Sequence, residues 1–352
     1  MEGHLVMSSK ERTRLRIMGL LEQGSINLKQ GAEQLSISYR QMKRIWSRYR
    51  QEGEPGLVHK SRGRESNRKI EAGIQETVLE LYREKYEGFG PTLAAEKLVK
   101  DGYQVNKETL RQWLMEEGLW ERHRRRKKHR SRRERKAHFG ELVQLDGSFH
   151  GWFGEGYGKD CLMNMVDDAT GITMSLLAEE ETTEAALRLL WRWIERYGIP
   201  MALYCDRKKV YMTDREPTIQ EQLEGIVPLS QFGRVCERLG IEIITAYSPQ
   251  AKGRVERNHG VYQDRFVKEL GLLGIHTIAG ANTLLEDSFL AELNGKFAKE
   301  PAESEDFHVR VEKGTKLERI LCLENVRTVS NDWIIQYKTR LFQITKDNQE
   351  LP

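Results

Sequence analysis

The chain has 352 residues, room for two or three ordinary domains. No apolar run is long enough to span a bilayer, and the N-terminal MEGHLVMSSKERTRL lacks the apolar stretch of a secretory signal. Fifty-seven Lys and Arg against fifty-three Asp and Glu give a formal net charge of +4, but the basic charge is concentrated. Eleven of the fifteen residues 122–136 are Lys or Arg and one is Glu, so that block carries +10 and the remaining chain −6. Such a local basic footprint points to a specific polyanion contact rather than general stickiness.

The four cysteines, Cys161, Cys205, Cys236 and Cys322, are widely spaced and form no CxxC pair. They read as reduced core thiols of a cytosolic protein. None precedes Cys161, which excludes a Cys-containing zinc finger from the N-terminal third.

In chain order, residues 1–60 read as a three-helix domain. The first helix starts near Lys10 and ends at Gly24, the second covers Leu28 to Leu35, and the turn Ser36-Ile37-Ser38 supplies Ser38 as N-cap of a third over Tyr39–Gln51. Met42, Ile45, Trp46 and Tyr49 recur at helical spacing and face inward, which leaves Arg40, Gln41, Lys43, Arg44 and Arg48 outside. A short turn before a basic helix is the pattern of a helix-turn-helix DNA-binding unit. The plainer alternative is a three-helix bundle with a solvated basic face.

A Gly-rich basic linker follows, then a second helical domain over residues 70–120. Its helices are Ile74–Lys85, one opened by Pro91 and closed by Gly102, and one capped by Asn106 with Leu110, Trp113 and Leu114 inward. This is either a second DNA-binding module or a structural one. Residues 121–139 form a basic linker that includes Arg124, Arg125, Arg126, Lys127 and Lys128. It is either a solvated or targeting tract or a phosphate-binding segment. The latter follows from self-repulsion that neutralised phosphates would relieve.

From Gly140 the period changes to that of strands. The order is three strands (ELVQLDGSF, CLMNMVDD, GITMSLLA), a helix (TTEAALRLLWRWIERYG), a strand (ALYCD), a helix (LSQFGRVCERLG), a strand (IEIITAY) and a long helix after SPQAKGRVER. This order implies a mixed five-stranded sheet with helices on both faces, over residues 140–300. The polar segment between Asp206 and Leu229 reads as an insertion beside the site. Residues 301–352 read as a linker and three short strands at Arg327–Ser330, Trp333–Tyr337 and Leu341–Ile344. Val329, Trp333, Ile335, Leu341, Phe342 and Ile344 offer an apolar face with nothing after it to cover it. The expectation is therefore an incomplete β module in a truncated chain.

Asp146 ends the first strand, Asp206 ends ALYCD, and Glu256 opens the long helix. If the two strands are parallel neighbours, both aspartates emerge at one edge and the returning helix brings Glu256 to them. Three clustered carboxylates repel, each pair by roughly 4 kcal/mol at 4 Å and an effective dielectric near 20. Such a cluster is expected to hold Mg²⁺, two ions in all, with Mn²⁺ as a substitute. Asp167 and Asp168, by contrast, read as turn or cap residues at the opposite edge from Asp146.

These residues resemble the integrase-type DDE transposases of bacterial insertion sequences. The matching phrases are QLDGS around Asp146, YCDRKKVY around Asp206, AYSPQAKGRVERNHG around Glu256 and LNGKFAKEP near the end of the core. The resemblance covers nearly the whole chain. It implies a ribonuclease H-like catalytic core behind helix-turn-helix domains that bind terminal inverted repeats. The implied catalytic and metal-binding residues are Asp146, Asp206 and Glu256, separated by 60 and 50 residues. Lys252 and Arg254 would hold the DNA end, with Arg257 and Asn258 as weaker candidates. The implied activity is metal-dependent cleavage and strand transfer on double-stranded DNA, both terminal repeats and target. The acting form would be a homo-oligomer in a bacterial cytoplasm, associated with the nucleoid and not with a membrane. The alternative is a catalytically impaired DNA-binding regulator derived from such an enzyme.

Overall fold

The computed structural model describes residues 6–60, 62, 70–122, 133–225, 227–245 and 253–345. The chain divides into two compact units that meet between Glu80 and Leu81.

The first unit begins with α1 (Ser9–Glu22), α2 (Leu28–Gln34) and α3 (Tyr39–Glu52). Each start is capped as its sequence dictates. Ser8 and Glu11 form a reciprocal capping box, Asn27 and Gln30 form another, and the Ser38 hydroxyl accepts from the Gln41 N–H at 3.2 Å. Between α2 and α3 the chain turns through Ser36 in the left-handed region, at φ +52°. The helices cross closely because Gly31 has no side chain; a Cβ there would lie 2.8 Å from Met42 Cε. Ile17, Met18, Ala32, Met42, Ile45 and Leu57 are buried, with Trp46 and Tyr49 packed against them. That burial leaves Arg40, Gln41, Lys43 and Arg44 exposed and Arg48 half-buried.

A helix α4 (Ala72–Lys85) runs across the division. The second unit continues with α5 (Pro91–Lys100), opened by Pro91 in its first turn, and α6 (Lys107–Glu116), capped by the Asn106 side chain, both as expected. Leu93, Ala94, Leu98, Leu110 and Leu114 are buried.

The sheet of this unit has five strands in the order β3-β2-β1-β4-β5. They are β1 (Val143–His150), β2 (Asp160–Asp167), β3 (Thr173–Ala178), β4 (Ala202–Cys205) and β5 (Glu242–Thr245). β1, β2 and β3 are antiparallel in sequence, and β4 and β5 run parallel to β1. This is the mixed ribonuclease H-like sheet that the resemblance implies. One face is covered by α7 (Thr183–Tyr197), which packs on β2 and β3, next to α9 (Gln231–Arg238). The other carries α10 (Gly253–Leu273), with α11 (Ile278–Leu284) and α12 (Leu290–Phe297) beyond it. The core runs through both layers, from Leu145, Met163 and Trp193 to Tyr262 and Phe266.

Past residue 300 the chain stays on this core. Ile199 and Val309 form a bridge, and the Trp193 indole donates to His308 Nε2 at 3.0 Å. The four thiols are free, as expected.

α5 is joined to α10 and to α12 by ion pairs. Lys97 meets Glu269, Arg265 meets Glu96 at 2.6 Å, and Lys100 meets Glu292 at 2.7 Å. These pairs tie α5 to the helices on the α10 face of the sheet within the second unit.

The insertion after Asp206 contains a short helix: Thr218 caps α8 (Ile219–Glu224) through a box with Glu221. One sequence expectation needs correction. The C-terminal module has two strands, β6 (Ile334–Tyr337) and β7 (Arg340–Gln343), joined at Lys338-Thr339, both in the left-handed region. Arg327–Ser330 forms no strand. Ser330 is consumed by a tight loop, its N–H donating to the Ile334 carbonyl and its own carbonyl accepting from Trp333. A short α13 (Leu317–Ile320) precedes this module. No helix among the described residues is long and apolar enough to cross a membrane.

Candidate active site

The parallel pairing of β1 with β4 sets Val143 against Leu203 and Gln144 against Tyr204. Two residues further along that register, Asp146 stands opposite Asp206, just past the end of β4. Both carboxylates reach one cation. The Lys208 ammonium is 3.2 Å from Asp206 Oδ2, 3.8 Å from Asp146 Oδ1 and 2.6 Å from Glu181 Oε2. Burial pulls the Lys208 pKa down, but the hydrogen bond and charge of Glu181, with Asp206 and Asp146, outweigh it and hold it above the usual lysine value.

Glu181 is fixed from two further sides. The buried Tyr211 hydroxyl donates to its Oε1 at 2.9 Å. The space its carboxylate fills exists because residue 147 is glycine; a Cβ there would stand 2.8 Å from Glu181 Oε2. The Gly of the QLDGS phrase thus makes room for a fourth acidic side chain. Burial and the Glu181 charge both raise the Tyr211 pKa, so it is a donor, not a phenolate.

α10 is laid over the face of β1 that carries Asp146. Gln144, Asp146 and Ser148 share that face by strand alternation. The Val255 N–H donates to Gln144 Oε1 at 3.2 Å, and Gln263 donates to the Ser148 hydroxyl at 3.2 Å. Asn164, the cross-strand partner of Asp146, donates to Asn258 Oδ1 at 2.7 Å. Thr173 and Ser175 both donate to Asn164 Oδ1, at 2.6 and 2.9 Å. Glu256 follows Val255 in the first turn of this helix and is exposed. Among the described residues no three His, Cys, Asp or Glu side chains are close enough to hold an ion together. The relation of Glu256 to the two aspartates is therefore one of helix position, not contact.

Asp167 is the turn residue expected, accepting from the Thr170 N–H and hydroxyl at 2.7 Å each. Asp168 is more. Fully buried, it accepts from Arg133, from the Lys136 N–H at 2.8 Å and from Gln144 Nε2 at 2.9 Å, and it pairs with Arg254 at 3.0 Å. Arg254, expected to reach for DNA, here anchors the start of α10. Arg124, Arg125, Arg126, Lys127, Lys128 and Lys252 lie outside the described residues.

The sequence reading missed Glu181, Lys208, Tyr211, Gln144 and Asp168 as site residues. Lys208 and Tyr211 lie within YCDRKKVY, but nothing separates Glu181 from its neighbours Glu179 and Glu180 except the glycine it requires. As donors, Asp146 and Asp206 fit a divalent ion such as Mg²⁺: both are carboxylates, and both already converge on a single positive charge.

Comparison with known proteins adds to this picture. Residues 13–65 match a helix-turn-helix domain family, and residues 41–114 match a homeodomain-like domain family. The chain is 38% identical over 332 residues to a putative transposase, y4bF, of Sinorhizobium fredii, covering 93% of this chain and 71% of that protein. It is 28% identical over 381 residues to the transposase for insertion sequence IS1202 of Streptococcus pneumoniae, covering 97% of this chain and 79% of that protein. Among solved structures, it is similar to the simian T-cell lymphotropic virus intasome, at 16% identity and a TM-score of 0.38. That match covers 73% of this chain and 82% of the other.

Proposed function

The chain belongs to the transposases of bacterial insertion sequences, and from that membership we propose that it binds the terminal inverted repeats of its element and catalyses metal-dependent cleavage and strand transfer there. The observation that carries this reading is the meeting of Asp146 and Asp206 across parallel neighbouring strands, on one cation.

Asp146, Asp206 and Glu256 would hold Mg²⁺, which supplies Lewis acidity at the scissile phosphate and so allows water or a DNA 3′-hydroxyl to act without a side-chain nucleophile. The rest falls to the chain's own residues. The exposed Arg40, Gln41, Lys43 and Arg44 of α3, with the half-buried Arg48, present hydrogen-bond donors to a major groove. Residues 122–136 follow the phosphate backbone by charge. Lys252 would hold the DNA end, while Arg254, paired with the buried Asp168, keeps the start of α10 in place. Gln144 and Asn164 keep the first turns of α10 over Asp146, and so keep Glu256 at that edge. The active form is proposed to be a homo-oligomer that also takes up target DNA.

The test is a labelled duplex carrying the element's terminal repeat, incubated with the full chain and Mg²⁺. Nicking at the repeat end and joining to a second duplex are expected. Sequence-specific binding without either reaction would overturn the enzymatic reading and leave a DNA-binding regulator.

A further inference from the structure

Lys208 has no part in the chemistry just described, yet it stands at the centre of it. Its ammonium lies between Asp206 and Asp146, at 3.2 and 3.8 Å, and touches Glu181 at 2.6 Å. Its backbone is tied to the same aspartate, the Lys208 N–H donating to Asp206 Oδ1 at 3.3 Å. The side chain is 43% exposed, so it can move without unpacking the core.

We propose that the Lys208 ammonium and a divalent cation are alternative occupants of the space between Asp146 and Asp206, so that Lys208 governs how tightly metal is held. The inference rests on the metal-site reading above. An ion shared by both carboxylates sits about 2.0–2.1 Å from each ligand oxygen. An ammonium left at its present distances would then face two positive charges across a few ångströms, with the carboxylates' charge already shared. Like-charge repulsion drives it out.

It has a place to go. Glu181 is not one of the three residues assigned to the metal, and its carboxylate is pinned by Tyr211 and by the gap over Gly147. A lysine retreating onto Glu181 keeps a charge-assisted hydrogen bond, so its displacement strands no buried charge. Metal uptake must nevertheless break the Asp206 and Asp146 contacts, and that work is subtracted from metal affinity. Lys208 is thus a positioning residue: it holds the carboxylate pair together and lowers its affinity for metal.

The test is calorimetric titration of the full chain with Mn²⁺, without DNA, for the wild type and for Lys208→Met, Lys208→Arg and Asp146→Asn. Lys208→Met is expected to bind Mn²⁺ more tightly, on the order of tenfold. Lys208→Arg keeps the charge and is expected to stay near the wild type. Circular dichroism of each variant checks that the fold is retained. Lys208→Met binding that is equal to or weaker than the wild type, while Asp146→Asn abolishes it, overturns this inference alone. Mn²⁺ binding that survives Asp146→Asn unchanged overturns the metal-site reading and this inference with it.

Discussion

The guanidinium of Arg254 lies 3.0 Å from the fully buried carboxylate of Asp168. Arg254 opens the helix that carries Glu256, and Asp168 also holds Arg133, at the end of the basic run. One buried carboxylate therefore ties three parts together: the end of the basic segment, β1 through Gln144, and the first turn of α10.

Removing Asp168 takes the carboxylate from the largely buried Arg254 and from the Gln144 amide, which costs far more than the pair itself contributes. Asp168→Ala is expected to destabilise the second unit by about 3 kcal/mol or more. Arg254→Ala should cost less, because Arg133, Lys136 and Gln144 still satisfy Asp168. The double variant should be less damaging than the sum of the two, since both act on one network. Urea unfolding of the four proteins checks this. Strict additivity would show that the two residues are not coupled.

Asp146→Asn, Asp206→Asn and Glu256→Gln are each expected to reduce cleavage and joining to background while leaving repeat binding intact. In the proposed site the carboxylates would hold metal, and each amide keeps the shape but loses the charge. Mn²⁺ should replace Mg²⁺, and Ca²⁺ should permit binding without turnover. Gel-shift and strand-transfer assays on one labelled duplex separate the effects. Near-wild-type joining by any of the three removes that residue from the site.

What could be read in advance was whatever a few adjacent residues decide. Ser38 as a cap, the inward spacing of Met42 and Ile45, and Asp206 at the end of YCD are all local features. Asp146, expected at the end of its strand, lies inside β1, because pairing with β2 carries that strand on to His150. The β1–β4 adjacency was only a condition of that reading, and the parallel pairing of the two strands meets it. Glu181 and Asp168 were hidden because their partners are distant: Tyr211 and Lys208 for the first, Arg133, Gln144 and Arg254 for the second. The absent third C-terminal strand was misread for a related reason. Arg327–Ser330 has the residues of a strand, but Ser330 gives its backbone groups to a turn instead.

The two proposed DNA contacts should respond differently to mutation. Arg44→Ala on α3 is expected to relax base specificity by about 1–3 kcal/mol at one position if its contact is bidentate. Neutralising several of Arg124, Arg125, Arg126, Lys127 and Lys128 should instead weaken binding to all sequences and flatten its salt dependence, by about 0.9 in slope per lost phosphate contact. Fluorescence anisotropy across a salt series distinguishes the two. An unchanged slope would remove the basic run from the DNA interface.

Gly147→Ala tests the room made for Glu181. The new methyl would stand 2.8 Å from both Glu181 Oε2 and Cys161 Sγ, so one of them must move. Cys161 is fully buried between strands, and the carboxylate is the freer end. The expected result is a shifted Glu181, a loss of about 1–3 kcal/mol of stability and impaired strand transfer with repeat binding unchanged. Wild-type activity and stability would show that the pocket tolerates the methyl.

The last prediction concerns acid and the N-terminal unit. Glu11 lies in the capping box of α1, and its pKa falls from the usual 4.5 to about 2. The largest cause is the hydrogen bond from the Ser8 N–H, with further help from the Ser8 hydroxyl, the His59 N–H and Arg62 against a smaller cost of burial. A carboxylate with a depressed folded-state pKa adds stability that is complete above its unfolded value and disappears as pH falls through its folded one. The contribution should therefore be full above about pH 4.5 and lost by about pH 2. Hydrogen-exchange protection of the α1 amides, corrected for intrinsic rates, should fall across that window in the wild type. In Glu11→Gln it should be lower at neutral pH and nearly flat below it. A wild-type profile that stays flat from pH 5 to pH 2 would show that the Ser8–Glu11–Arg62 cluster does not hold the start of α1.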